Sequence, residues 1–150
     1  MRLALAKAAE GISRGQTPFG ACIVRRGQVV ALSHNRVWQT TDITAHAEVQ
    51  AIREACQALH SISLKGCVLY STCEPCPMCF SACHWAGIKK IYFGATIQDA
   101  HHAGFNELFI PANVMKKRGK SYVEIQGGLL RRENAELMQM WSNLKGKKVY

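Results

Sequence analysis

Apolar positions recur along this chain in two alternating periods, and the order of the two predicts its elements. Leu5, Ala8, Ala9 and Ile12 follow i, i+3, i+4, i+7, the stripe of a first helix that Gly15 ends. Phe19 to Val24 is a short apolar strand. Arg25-Arg26-Gly27-Gln28 is a turn, and Val29 to Asn35 returns to close a hairpin. Arg36 to Ile43 is polar and reads as a loop. A second helix is expected from Ala45 to Leu59, with Ala45, Val49, Ile52, Cys56 and Leu59 buried and Gln50, Arg53, Glu54 and Gln57 wet. Cys67 to Ser71 is a buried strand. A third helix over Cys76 to Ala86 has Gly87 as its stop, and Lys90 to Gly94 is the next strand. Residues 95–121 hold no long periodic element, and long irregular stretches of that kind are commonly functional. Tyr122 to Gln126 alternates as a last strand, and Leu137, Met140, Trp141 and Leu144 mark a final helix.

Strand–helix–strand–helix–strand order implies parallel neighbours joined by right-handed crossovers, and the leading hairpin makes the sheet mixed. The expectation is an α/β fold, a three-layer α/β/α sandwich with a central five-stranded mixed sheet. In such a layout the second and third helices begin at one sheet edge, so their N-termini can meet.

Composition narrows this picture without changing it. The 150 residues, 48% apolar, suit one domain over 1–150, with neither an internal repeat nor a linker. Apolar runs fall far short of the ~20 residues of a membrane span. Lys7 and Glu10 break up the N-terminal pattern, which is amphipathic rather than that of a signal peptide. Seven cysteines, an odd count clustered at one motif, point to a reducing cytoplasm rather than a disulfide framework. Cys22, Cys56, Cys67 and Cys83 read as small buried apolar residues. Net charge is +9, but much of it sits in Lys116-Lys117-Arg118-Gly119-Lys120 and Lys145-Gly146-Lys147-Lys148. A solvated loop and tail explain these runs more economically than polyanion binding, which stays as the rival.

The candidate chemistry lies in two short runs, His46-Ala47-Glu48 and Cys73-Glu74-Pro75-Cys76-Pro77-Met78-Cys79. With a helix starting at Cys76, Cys76 and Cys79 share one face, and Pro77 falls at its first position, where a missing N–H costs nothing. The positive end of the helix favours thiolates, the form that binds metal. His46 adds a nitrogen, and three protein ligands with one open position describe a catalytic zinc site. Glu48 is not read as a ligand. Near a helix start, with Thr44 as the expected N-cap, it stands beside His46 as a general base for a water that zinc activates. His-x-Glu alone is a weak signal, and Cys-x-x-Cys alone could be a redox pair or half a zinc knuckle. Together and in this order they are the signature of zinc nucleobase deaminases. A catalytically silent zinc- or RNA-binding module is the alternative of another class.

From Pro18-Phe19-Gly20-Ala21 through Asn35, Thr44 to Glu48 and Cys73 to Cys79, the chain resembles the cytidine deaminase-like superfamily over nearly its whole length. Within it the chain is most similar to guanine deaminases, in Phe19-Gly20-Ala21, in Trp85, in Asp99 to Glu107 and in the ending Lys147-Lys148-Val149-Tyr150. The resemblance implies zinc at His46, Cys76 and Cys79, Glu48 as proton shuttle and Glu107 as a second one. It implies substrate contacts from Phe19, Asn35, Ala47, Trp85 and Tyr150, the last as a lid. It implies a homodimer, in some members with an exchanged C-terminal segment, acting on a small purine base: guanine to xanthine and ammonia. Residue type alone leaves other readings open: Trp85 as core, Asn35 as a turn cap, Glu107 as a solvated loop residue, Tyr150 as a frayed end. The rival, a tRNA-specific adenosine deaminase that would bind nucleic acid, is favoured by the +9 charge and by residues 123–130, and there are two departures from the guanine deaminase pattern. Asn106 stands where guanine deaminases carry an acid, and residues 123–130 read more like the tRNA enzymes, although Gly94-Ala95-Thr96-Ile97 lacks their Arg-Asp.

Overall fold

The computed structural model describes residues 1–150. The chain order is α1 (Arg2–Ser13), β1 (Gly20–Arg25), β2 (Gln28–His34), α2 (Val37–Thr40), α3 (Ala47–Ala58), β3 (Cys67–Cys73), α4 (Pro77–Ala86), β4 (Lys90–Ala95), α5 (Ile97–His102), α6 (Ala112–Arg118), β5 (Glu124–Gln126) and α7 (Arg131–Ser142). The five strands form one mixed sheet in the order β2-β1-β3-β4-β5. β1 pairs antiparallel with both β2 and β3, while β3–β4 and β4–β5 are parallel. Helices α1 and α7 pack on one face, and α3 with α4 on the other. The expected sandwich and its mixed sheet are therefore present.

Where helices press on the sheet, the contact selects small residues, and this rotates three faces away from the sequence pattern. In α1 the buried positions are Ala4, Ala8 and Gly11; of the expected stripe Ala8 is among them, while Leu5 and Ile12 are partly covered and Ala9 is exposed. A Cβ on Gly20 would meet the Ala4 carbonyl at 2.2 Å, which shows how closely α1 lies on β1. In α3 the buried set is Ala47, Glu48, Gln50, Ala51 and Ala55, whereas Ile52, Cys56 and Leu59 are only partly covered. Gln50, expected in water, is buried. In α7 the inner face is Asn134, Met138 and Trp141, and Met140 and Leu144 are exposed. A Cβ on Gly94 would lie 2.1 Å from the Asn134 side chain, so that glycine lets α7 approach β4.

Two stretches expected as loops contain short helices. Residues 36–43 include the single turn of α2, and residues 95–121 include α5 and α6. Neither α5 nor α6 is long enough for apolar periodicity to show. Thr96 starts α5 with a capping box: its side chain accepts from the Asp99 N–H, and the Asp99 carboxylate accepts from the Thr96 N–H at 2.6 Å. The basic run falls in the last turn of α6, where Lys116, Lys117 and Arg118 complement the helix dipole. His101 and His102 are exposed.

Candidate active site

The starts of α3 and α4 come together on the same side of the sheet. His46 is the residue before α3, and Cys76 the residue before α4, with Pro77 at the first helical position and Gly87 ending the helix at φ 79°. Thr44 is not the cap of α3: its hydroxyl turns back to the Asp42 carboxylate at 2.6 Å, and His46 takes the cap position without a side-chain cap bond.

His46 Nδ1 lies 3.7 Å from Cys76 Sγ and 3.5 Å from Cys79 Sγ. All three ligand atoms lie within 4.8 Å of one another. A tetrahedral zinc with bonds of about 2.05 Å to nitrogen and about 2.3 Å to sulfur requires N···S separations of about 3.6 Å. The residues therefore fit the ion in kind and spacing, and His46, Cys76 and Cys79 form a group that could hold it. Protonation follows the same geometry. The Cys79 thiol donates to Cys76, which with His46 holds the Cys76 sulfur down to about 4, a thiolate at neutral pH. The shared bond and burial push Cys79 up well above its ordinary value. Burial pulls the His46 imidazole down, but the Cys76 bond and the Glu48 charge outweigh it and leave it raised.

Glu48 is 5% exposed, in the first turn of α3 beside His46. Its carboxylate accepts the Ser71 hydroxyl at 3.1 Å, a bond from the end of β3 that fixes its rotamer. Burial, then the Cys76 thiolate, pushes its pKa up, the direction a proton shuttle needs. Ser71 carried no sequence signal beyond its place before the cysteine run.

A cavity of about 290 Å³ opens onto this group, lined in part by His46, Cys76, Asn106, Glu107, Leu108 and Tyr150. Burial, with the Cys76 and Glu48 charges, raises Glu107 to about 8. Its Oε2 is buried without a partner. The residue is thus not a solvated loop acid.

Asn35 is fully buried and uses both ends of its amide. Its oxygen caps α2 by accepting the Val37 N–H at 3.1 Å, and its nitrogen donates to the Tyr150 hydroxyl at 2.5 Å. The C-terminus is not frayed. Tyr150 packs on His46 and Phe105, each at 5.5 Å between ring centroids, and its carbonyl accepts the Asn106 N–H. Further back, the Trp38 indole donates to the Lys148 carbonyl at 3.3 Å. Phe19 and Ala47 are buried behind the site, Phe19 edge-on to Phe105 at 4.7 Å.

Trp85 does not join them. It is 87% exposed and lines a separate groove with His84, Met115 and Ser121. It points away because the inner face of α4 carries Cys79, Phe80, Cys83 and Ala86, leaving position 85 outward. It is neither core nor part of the cavity of its own chain. Cys73 is buried, with its thiol on the Thr96 carbonyl, outside the metal group. All seven cysteines are free.

The model of the cytidine and deoxycytidylate deaminase zinc-binding region matches residues 1–95. Guanine deaminase of Bacillus subtilis is 40% identical over 100% of this chain and 96% of its own length. The tRNA-specific adenosine deaminase of Aquifex aeolicus is 41% identical over 73% of this chain and 71% of its own. Among solved structures, the guanine deaminase from Nitrosomonas europaea superposes with a TM-score of 0.85 at 28% identity, covering 95% of this chain and 82% of that one.

Proposed function

This chain belongs to the cytidine and deoxycytidylate deaminase family, a zinc-dependent hydrolytic deaminase, and from that premise we propose that it converts guanine to xanthine and ammonia. The observation that carries the choice of substrate is the tail. Residues 148–150 are tied to Trp38 at one end and to Asn106 at the other, which sets Tyr150 in the wall of the cavity. A cavity of about 290 Å³ with Tyr150 in its wall is of a size that suits a free base. The match to a guanine deaminase over the full length supports the same reading.

His46, Cys76 and Cys79 would hold zinc, which would lower the pKa of water toward ~7 and so supply a nucleophile at neutral pH. Glu48 accepts the proton given up by the attacking water and delivers it to the ring nitrogen beside C2, which makes that carbon electrophilic. Glu107 keeps its proton below about pH 8 and donates it to the C2 amino group, which leaves as ammonia. The water oxygen remains on C2, and its second proton passes to the Glu107 carboxylate as the C2 carbonyl forms, which restores Glu107 and balances guanine plus water against xanthine plus ammonia. The Asn35 amide orients the ring, and Tyr150 keeps bulk water out. Phe19 and Ala47 form the floor behind it. We assign the chain to the cytoplasm on its free cysteines, and read it as one domain that pairs into a homodimer, since Trp85, Leu108 and Phe109 are exposed.

Ammonia release from guanine, guanosine, adenine, cytosine and a tRNA anticodon stem-loop tests this directly, with zinc content checked. Turnover of guanine alone is expected. Turnover of the stem-loop alone would assign the chain to tRNA editing, the reading that the Aquifex match and the exposed Lys117, Arg118 and Lys120 favour.

A further inference from the structure

Glu74 is a carboxylate that the reaction above leaves unused. It is 8% exposed and stands two residues before the ligand Cys76. Its Oε1 accepts the Ala112 N–H at 2.8 Å and its Oε2 the Ile97 N–H at 3.2 Å. Its own N–H donates to the Ala95 carbonyl at 2.8 Å, which anchors its backbone to the end of β4. Ile97 and Ala112 are the first residues of α5 and α6. One carboxylate therefore satisfies a free donor at each of two helix starts, where negative charge is favoured. For α5 this adds to the Thr96–Asp99 capping box. For α6 it substitutes for a cap, since the preceding residue is Pro111 and no side chain caps that helix.

The two helices bracket residues 103–111, the loop whose Asn106, Glu107 and Leu108 line the cavity. Glu74 thus ties the start of the helix leading into that loop, and the residue at which the loop ends, to the segment that carries Cys76. Glu107 does not fix its own place: its buried Oε2 has no partner. Its separation from the metal ligands is set by the backbone on either side of it, and that backbone is pinned through Glu74. We propose that Glu74 is a positioning residue for deamination, holding the Glu107 carboxyl in register with the zinc ligands. The inference rests on the proton-donor role given to Glu107 above.

Glu74→Gln in the zinc-loaded enzyme keeps the volume but turns an amide NH₂ toward one of the two N–H donors, so one bond survives and one is lost. The expected result is unchanged zinc content, a fall in kcat of about 10- to 100-fold, the scale set by loss of a well-placed proton donor, and KM within about twofold of the parent. Hydrogen exchange across 103–111 speeds up. In a Glu107→Gln background the same substitution costs less than about twofold, because the group it positions is already gone. Ala112→Pro removes the donor from the other end without touching the metal run, at a helix position that suits proline. It is expected to give the same kcat fall and the same non-additivity, and it decides alone if Glu74→Gln does not fold. Multiplicative losses in the double variants, loss of zinc from Glu74→Gln, or unchanged kcat would each overturn the proposal. The substrate reading is checked first, on the unsubstituted enzyme. If guanine is not turned over, that reading has failed, and the same cycle is run on whichever base or stem-loop releases ammonia.

Discussion

On one side of the cavity, His46, Cys76 and Cys79 sit at helix starts whose supports are local: Pro77 at the first position of α4, the Cys79 thiol on Cys76, Glu48 two residues from His46. On the other side, Asn106, Glu107, Leu108 and Tyr150 belong to stretches without a long element. Their anchors span 38 residues from Glu74 to Ala112, 110 from Trp38 to Lys148, and 115 from Asn35 to Tyr150. Leu108 and Phe109 are exposed, whereas Cys79 is fully buried. The difference teaches that the metal half is held by short-range chemistry inside the core, while the wall that meets the substrate is held by a few distant hydrogen bonds. Such a wall opens at lower free energy than the core it leans on.

Breaking the metal half should cost most. Chelation, or Cys79→Ser, is expected to abolish turnover and to lower Tm by roughly 10 °C, from ~4 kcal/mol of linked binding spread over a domain of this size; calorimetry with metal analysis reads both. Glu48→Gln should retain zinc and lower kcat about a thousandfold, measured by steady-state kinetics on metal-checked protein. Parent-like activity in either case would remove the catalytic centre from this site.

The opposite wall should respond less, and differently. Glu107→Gln is expected to lower kcat about 100-fold and to remove the alkaline limb of the rate profile that titration near pH 8 produces. The same group gives a stability test in the zinc-stripped chain. Its pKa is raised from 4.5 to about 8, so between those values the folded state holds a proton that the unfolded state has released. Stability then falls as pH rises from about 5 to about 8. Urea midpoints across that range should show the slope in the parent and a flatter line in Glu107→Gln. Deleting Tyr150 should raise KM several-fold, about 1 kcal/mol for one lost hydrogen bond and its packing, with kcat less affected. Trp85→Ala should leave turnover per site within about twofold, because its ring is outside the cavity of its own chain; a large KM effect would mean that a partner copy presents it to the site.

The two halves also differed in how far residue order revealed them. The clustering of His46, Cys76 and Cys79, the place of Glu48 in the first turn of α3, Pro77 at the start of α4 and Gly87 at its end are as the sequence implied, because each rests on spacing within a helix start or stop. The five strands and the mixed sheet followed from the alternation of periods, whereas the order of the strands came from the structure. The faces of α1, α3 and α7 did not, because close helix–sheet approach buries Ala4, Ala8, Ala51, Ala55 and Asn134 in preference to larger apolar neighbours. Helices α5 and α6 stayed hidden because 6 and 7 residues cannot display a period.

Residue order by itself marked His46, Cys76, Cys79 and Glu48 as one candidate group and determined the layered α/β architecture. Each depends on groups a few residues apart, or on periods repeated over a whole element. Tertiary structure alone decided that Tyr150 lies on Asn35 and His46, that one Glu107 oxygen is buried and unpaired, that Ser71 holds Glu48, that Glu74 bridges two helix starts, and that Trp85 faces water. Those facts depend on which distant segments the sheet brings side by side, and on how much water each is left with. No local pattern carries that information.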